Sequence, residues 1–334
     1  DILIGHEYYA LKTNYLSAEK TGFPFGGLYE LAAASTLTDG TSYEDNYSID
    51  SYLSRLNYNY KEKYYLSGSF RTDGSSRFYK DQRWGTFWSV GASWRISRES
   101  FLSDVNWVNN LTLKASYGIQ GNDALSSYYP YQSLYSLSYA NASASGALIS
   151  SLENKKLKWE KNANLNVGVE ATLFDRLYLT FEYFNKNTKD LLMKMPKATS
   201  TGFDSYWNNI GKVRNTGFEL SAKIDILKNT PLKWSFTAMG SHVNNKIIKL
   251  ADKPEIISGN IILKEGEAIN SFYLPTSAGV DPLTGNQLYL IKEKDADGNV
   301  TKEYKSSNYS LALSNREIAG NRIPDIYGSF NNEF

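Results

Sequence analysis

The sequence predicts an all-β chain: an antiparallel transmembrane β-barrel segment, with short periplasmic turns on one side and long extracellular loops on the other. Three observations predict it. Segments of roughly ten to fourteen residues alternate apolar with small or polar positions, the period of a strand with two unlike faces. That length exceeds the usual soluble strand and matches a tilted membrane crossing. Finally, the connections between these segments alternate between short and long, as when all turns lie on one side of a bilayer.

The strands are expected at 47–60, 62–72, 84–97, 110–120, 162–174, 176–186, 214–227, 231–243 and 324–334. In 84–97, Trp84, Thr86, Trp88, Val90, Ala92, Trp94 and Ile96 oppose Gly85, Ser89, Gly91, Ser93, Arg95 and Ser97. Leu165, Val167, Val169, Ala171 and Leu173 likewise oppose Asn164, Asn166, Gly168, Glu170 and Thr172. Leu111, Leu113 and Tyr117 oppose Thr112, Lys114 and Ser116, and Phe218, Leu220 and Ile224 oppose Glu219, Ser221 and Lys223. A soluble sheet hides its large apolar face in a core, whereas a membrane barrel turns that face to lipid. On this reading Val167→Arg is costly, whereas Gly168→Arg mainly alters the lumen.

Short connections are expected at Lys61–Glu62, 174–176 and Lys228–Pro231, with a moderate one at Arg98–Asn109. Long ones fall at 73–83, 121–161, 187–213 and 244–323. The small-residue run 136–150 reads as a mobile loop, and 244–323 should carry a small hairpin at Gln287–Ile291 and Val300–Tyr304. A soluble β-sandwich would repeat its turn punctuation every 8–12 residues or so, which this chain does not.

Composition agrees with a barrel. The 334 residues include 26 Tyr, 15 Phe and 7 Trp, enough for aromatic girdles at two bilayer interfaces. Trp84, Trp94, Trp159 and Trp234, at strand ends, are read as girdle residues. The 36 basic residues balance 35 acidic ones, which argues against a nucleic-acid partner. No apolar run approaches the length of a spanning helix, and there is no cysteine for disulfide or thiol chemistry. The chain opens at Asp1 with no leader pattern, and 325–334 reads as a strand just begun. Residues 1–334 are therefore expected to be a partial barrel domain from a longer polypeptide.

Catalytic chemistry is poorly represented, and no enzyme activity, metal or cofactor is expected. The two histidines, His6 and His242, stand far apart and outside any triad or metal-ligand spacing. Asp295-Ala-Asp-Gly-Asn299 resembles the start of a calcium loop, but position twelve is Ser306 rather than Glu, and Asp-Gly favours a tight turn. Better binding candidates are Tyr128, Tyr129 and Tyr131, and Tyr206, Trp207, Asn208 and Asn209, read here as loop residues. Flat aromatic faces beside amides suit sugars or peptides; equally, they pack loops against one another or against a partner.

Several ordered strings carry a resemblance. They are Ser69–Phe78, Arg83–Ser97, Leu111–Asn122, Leu157–Glu160, Tyr183–Leu192, Ser200–Phe203, Asn209–Leu220 and Gly279–Gly285. Together, from about residue 50 onward, they resemble the C-terminal barrel half of the SusC/RagA class of TonB-dependent outer-membrane receptors of Bacteroidetes. The resemblance implies import of an oligomeric nutrient, an oligosaccharide or a peptide, with a SusD-like surface lipoprotein as lid. It implies TonB as a partner through regions outside these residues, since nothing here resembles the TonB box, the plug or the final strands. A passive porin or structural barrel in the outer-membrane lipid is the alternative reading.

Overall fold

Strict alternation leaves each strand two unlike faces, and only backbone hydrogen bonds to neighbours satisfy its N–H and C=O groups in lipid. The computed structural model describes residues 1–141, 144–250 and 254–334. Along the chain come β1 (Ile2–Thr21), β2 (Thr36–Tyr60), β3 (Tyr64–Ser75), β4 (Trp84–Arg95) and β5 (Val108–Asn122). A separate hairpin, β6 (Tyr135–Asn141) and β7 (Ala144–Ile149), follows. Then come β8 (Glu160–Leu173), β9 (Leu177–Pro196), β10 (Ser205–Leu227) and β11 (Trp234–Lys249). The last long connection holds β12 (Glu255–Ser258), β13 (Ile261–Lys264), β14 (Ser271–Leu274), β15 (Ser277–Val280), β16 (Gln287–Lys294), β17 (Val300–Ser306) and β18 (Glu317–Ile318). β19 (Ile326–Glu333) closes the order.

Ten strands make one antiparallel sheet in the order β1-β2-β3-β4-β5-β8-β9-β10-β11-β19. Each pairs with the strand before it in the meander, and β1 and β19 are the sheet's two edges. Tight turns sit at one end. Lys61 and Glu62 both take positive φ (54° and 55°), as do Phe174 and Asp175 (53° and 55°). That backbone twist matches the twist of the strands it joins. Asn59 Oδ1 accepts from the Glu62 N–H at 3.0 Å, and Asn109 Oδ1 from the Asp175 N–H at 2.8 Å.

The face assignment holds across the sheet. Trp88 pairs with Phe70 and Ile119, and Val167 with Ala115 and Tyr183, all on one side. Among the described residues nothing covers that side: Val90 is 44% exposed, Val167 42% and Leu220 48%. So continuous an apolar face would be an aggregation surface in water and is the lipid-facing wall of a barrel.

Four expectations are corrected. First, β1 was missing from the sequence reading, and β2, β9, β10 and β11 run well past their expected ends. The supposed loop 187–213 shrinks to residues 197–204, shorter than the 96–107 connection at the other end. The two ends are set by the antiparallel meander, not by strict alternation of length. Second, Trp159 is no girdle residue: it is 6% exposed, with Phe78 and Phe87 rings 5.4 and 5.2 Å away. Third, the run 136–150 is largely a paired hairpin, Tyr135 opposite Ile149; positions 142–143 lie outside the described residues. Fourth, Gly168 is not a neutral lumen position, because a Cβ there would stand 3.0 Å from the Phe181 carbonyl oxygen. The small hairpin expected in the last long connection is β16–β17, with Ile291 opposite Tyr304.

Candidate functional site: the polar wall and its loop cap

The face opposite the apolar one carries the chemistry. A row of directly paired residues runs Ser93, Lys114, Gly168, Glu182, Glu219, Ser241, Tyr327 from β4 to β19. Serines, asparagines and charged groups fill the rows on either side. A hollow of about 730 Å³ opens on this face, its lining including Ser67, Gly91, Lys114, Asn166, Gly168 and Glu182. Several charges are paired in place. Arg71 donates through Nε to Asp73 at 2.6 Å and through Nη2 to Glu7 at 3.0 Å and Ser51 at 2.9 Å. Lys114 binds Glu170.

The long-loop end is closed by a small core. Phe78, Phe87, Leu125, Leu157, Trp159 and Leu192 bury one another, with Ile119 and Trp207 packed alongside. Trp159 Nε1 donates to the Arg83 carbonyl at 2.7 Å, so its polar edge is satisfied inside this core. Gly85 makes the space: a Cβ there would lie 2.5 Å from Phe87 Cζ and 2.9 Å from Trp159 Cδ1. A second core joins Val213, Ile247, Leu250 and Leu263, folding the β12–β13 hairpin back over β9–β11. Both cores stand above the membrane crossing, where strands and loops meet.

This geometry is matched among known proteins. Residues 3–313 fit the family model described as TonB dependent receptor-like, beta-barrel. The chain belongs to the TonB-dependent receptor family. It is an outer-membrane protein of the SusC/RagA class. The TonB-dependent receptor SusC of Bacteroides thetaiotaomicron is 32% identical over 71% of the chain and 26% of its own length. TonB-dependent receptor P39 of Formosa agariphila is 29% identical over 93% of the chain and 33% of its own length. The RagAB peptide transporter structure matches with a TM-score of 0.88 and 32% identity, over 98% of this chain and 37% of that one. The chain therefore spans about a third of the length of the curated receptors it matches.

Within this receptor barrel the aromatic candidates separate. Tyr128 lies in the β5–β8 connection, its ring 5.9 Å from Tyr47, and Tyr129 Oη accepts from the Asn46 N–H at 2.8 Å. Tyr131 packs 6.0 Å from Tyr79 and accepts from Gln132 Nε2 at 3.0 Å. Tyr206, Trp207, Asn208 and Asn209 are not loop residues: they lie at the start of β10, paired in order with Met195, Lys194, Met193 and Leu192 of β9. Lys197 sits 4.7 Å over the Tyr206 ring and Lys194 5.4 Å over Trp207. Asn209 is a clip. It accepts from the Lys158 N–H at 2.9 Å and donates to the Lys158 and Asp190 carbonyls at 2.8 Å each. Asn154 Nδ2 donates to the Trp207 carbonyl at 2.9 Å, closing the same seam. These residues tie the β5–β8 loop to β10, the packing reading set out beside the ligand one.

The sequence reading missed a further group. Arg77 lies 4.4 Å over Tyr47 and 5.2 Å over Tyr128, and its Nη1 donates to the Asp123 carbonyl at 2.9 Å. Asp123 in turn accepts from Tyr47 Oη at 2.8 Å and Ser75 Oγ at 2.6 Å. No spacing could have joined positions 47, 75, 77 and 123, because they meet only when β2, β3 and the β5–β8 loop converge. His6 and His242 are separated as expected: His6 Nε2 lies 2.6 Å from Asp50 on β2, whereas His242 Nδ1 meets the Asp325 carbonyl. Asp295–Asn299 is a turn, with Asp295 Oδ1 accepting from the N–H groups of Asp297 at 3.0 Å and Asn299 at 2.8 Å. Among the described residues no group of three His, Cys, Asp or Glu could hold a metal ion.

Proposed function

We propose that this chain forms part of the wall and outer loops of an energised importer. It would carry an oligomeric nutrient, an oligosaccharide or a peptide, across the outer membrane. The single observation behind this reading is the division of the sheet. Its bare apolar face suits lipid, while its opposite face is a polar wall with hollows large enough for a hydrophilic solute. The likeness to the RagAB peptide transporter over nearly the whole chain supports transport rather than catalysis. The likeness to SusC supports a SusD-like lipoprotein as the partner met at the long-loop end, with TonB engaging parts of the receptor beyond these residues.

The test uses the full-length receptor in its own outer membrane. Uptake of the cognate nutrient should disappear when the receptor is deleted, and again when the proton-motive force is collapsed by an ionophore. A pull-down on the receptor should recover the lipoprotein. Uptake that survives the ionophore would instead identify a passive porin.

A further inference from the structure

Above the apolar band, the outward face of the sheet changes character. On β8 to β11 that face is apolar up to the row Val167, Tyr183, Phe218 and turns polar beyond it, at Asn185, Thr216 and Asn244. Two rows further out, Lys161, Lys189, Lys212 and Lys249 stand directly opposite one another across the four successive strands. Arg214 and Lys246 are paired one row below them. All six are exposed, whereas Thr188, Val213 and Ile247, on the opposite face at this level, are buried. The six cations therefore point away from the lumen, on the same side as the lipid-facing residues beneath them.

Cross-strand neighbours of this kind hold their Cβ atoms about 4.5–5.5 Å apart, and like charges so placed repel. No Asp or Glu stands among the outward paired residues of these four strands beyond Phe218. Lys158 holds Asp190 at 3.2 Å and the Leu250 N–H occupies Glu265, whereas among the described residues none of the six cations forms an ion pair. By contrast, the outer lengths of β1 and β2 neutralise themselves, Lys12 meeting Glu44 at 2.8 Å. Along β10, at about 3.4 Å per residue and a tilt of roughly 40°, Arg214 stands about 10 Å above Phe218 and Lys212 about 15 Å. Long basic side chains reach back from that height toward the bilayer surface. The patch thus begins at headgroup level, with the apolar wall directly beneath it.

We propose that Lys161, Lys189, Lys212 and Lys249, with Arg214 and Lys246, hold the phosphate of an outer-leaflet glycolipid against the receptor wall. Continuity decides the occupant. A molecule seated there meets an apolar wall below and six cations above, and a phosphorylated lipid offers acyl chains and an anion in that order. A second copy of this chain docked through the same face would set cation against cation. A soluble acidic protein would match the charges but not the wall beneath them. The inference uses the membrane placement of the sheet and is independent of what is imported.

The experiment uses purified full-length receptor in non-ionic detergent micelles, titrated with monophosphoryl lipid A or with the same lipid stripped of its phosphate. The test variant is Lys161→Gln/Lys189→Gln/Lys212→Gln/Lys249→Gln. Lys302→Gln/Lys305→Gln, on β17, controls for charge lost elsewhere. Heat-modifiable gel mobility reports that each protein is folded. The unmodified receptor should bind the phosphorylated lipid about tenfold or more tightly than the stripped one. That preference should fall as salt rises, because exposed charges are screened. The quadruple variant should lose the preference and the control should keep it. Equal affinity of the unmodified receptor for the two lipids, or a preference indifferent to salt, overturns the proposal without recourse to any variant. A folded quadruple variant that keeps the preference overturns it as well. If that variant binds both lipids as before but no longer recovers the lipoprotein in the pull-down, the patch is a protein docking surface and the proposal fails.

Discussion

Trp84 and Trp94 project from the same face of β4, one near each end of the strand, both large and exposed. Ten residues at about 3.4 Å each, tilted by roughly 40°, separate them by about 26 Å along the membrane normal. That is the height of the apolar band of an outer-membrane barrel. Trp94 stacks on Tyr64 at 6.4 Å, and Trp84 lies 6.2 Å from Tyr52, so each tryptophan belongs to an aromatic group at its own level.

Charge placed between those levels should be costly on one face only. Val167→Arg is expected to destabilise the full-length receptor by about 2–4 kcal/mol, and Asn166→Arg, one residue along on the polar face, far less. Urea-dependent refolding into lipid vesicles measures both. Asn166 replaces Gly168 as the control, because any side chain at 168 meets the Phe181 carbonyl.

Glu99 anchors the short-turn end. Its carboxylate accepts from Tyr64 Oη at 2.6 Å, Lys63 Nζ at 2.9 Å and Trp94 Nε1 at 3.1 Å. These bonds, Tyr64 first, hold its pKa down at about 2, against an ordinary value of 4.5. A carboxylate depressed on folding stabilises fully above its unfolded pKa and loses that contribution as pH falls through the folded one. The difference in unfolding midpoint between the native receptor and Glu99→Gln should be constant above about pH 5. It should shrink between pH 4.5 and 2. A difference that widens with acid would remove Glu99 from this role.

Asn209→Ala should loosen the loop cap without unfolding the sheet. It leaves an N–H and two carbonyls at Lys158 and Asp190 without their partner. The expected cost is about 1–3 kcal/mol, confined to the seam. Limited proteolysis reads it as faster cleavage within 123–159, with the same variant still reaching the outer membrane.

Residues 1–334 expressed alone in water should aggregate, because β1 and β19 present unpaired edges and one whole face is apolar. Size-exclusion chromatography of the refolded chain without detergent checks this. A monodisperse soluble species would contradict the lipid-facing assignment.

The sequence by itself determined which residues face lipid and which face the lumen. Period two and side-chain size are local properties, so Trp88, Val90, Val167 and Leu220 could be assigned before any neighbour was known. It also determined the tight turns at 61–62 and 174–176, where the apolar alternation stops and restarts. What it could not determine was any element lacking contrast between faces. In β1, Ile2, Ile4 and Tyr8 stand opposite to Leu3, Tyr9 and Leu11, so both faces read as apolar and the strand went unseen. The outer length of β9 includes a stretch polar on both faces, Asn187-Thr188-Lys189-Asp190, which joins the sheet through backbone pairing and side-chain bonds such as Arg214 Nε to Asn187 Oδ1 at 2.8 Å. Backbone hydrogen bonding does not depend on side-chain polarity and leaves no periodic trace. Tertiary structure alone decided that Trp159 enters a core, that Tyr206–Asn209 clip a loop rather than line one, and that Arg77 meets Asp123.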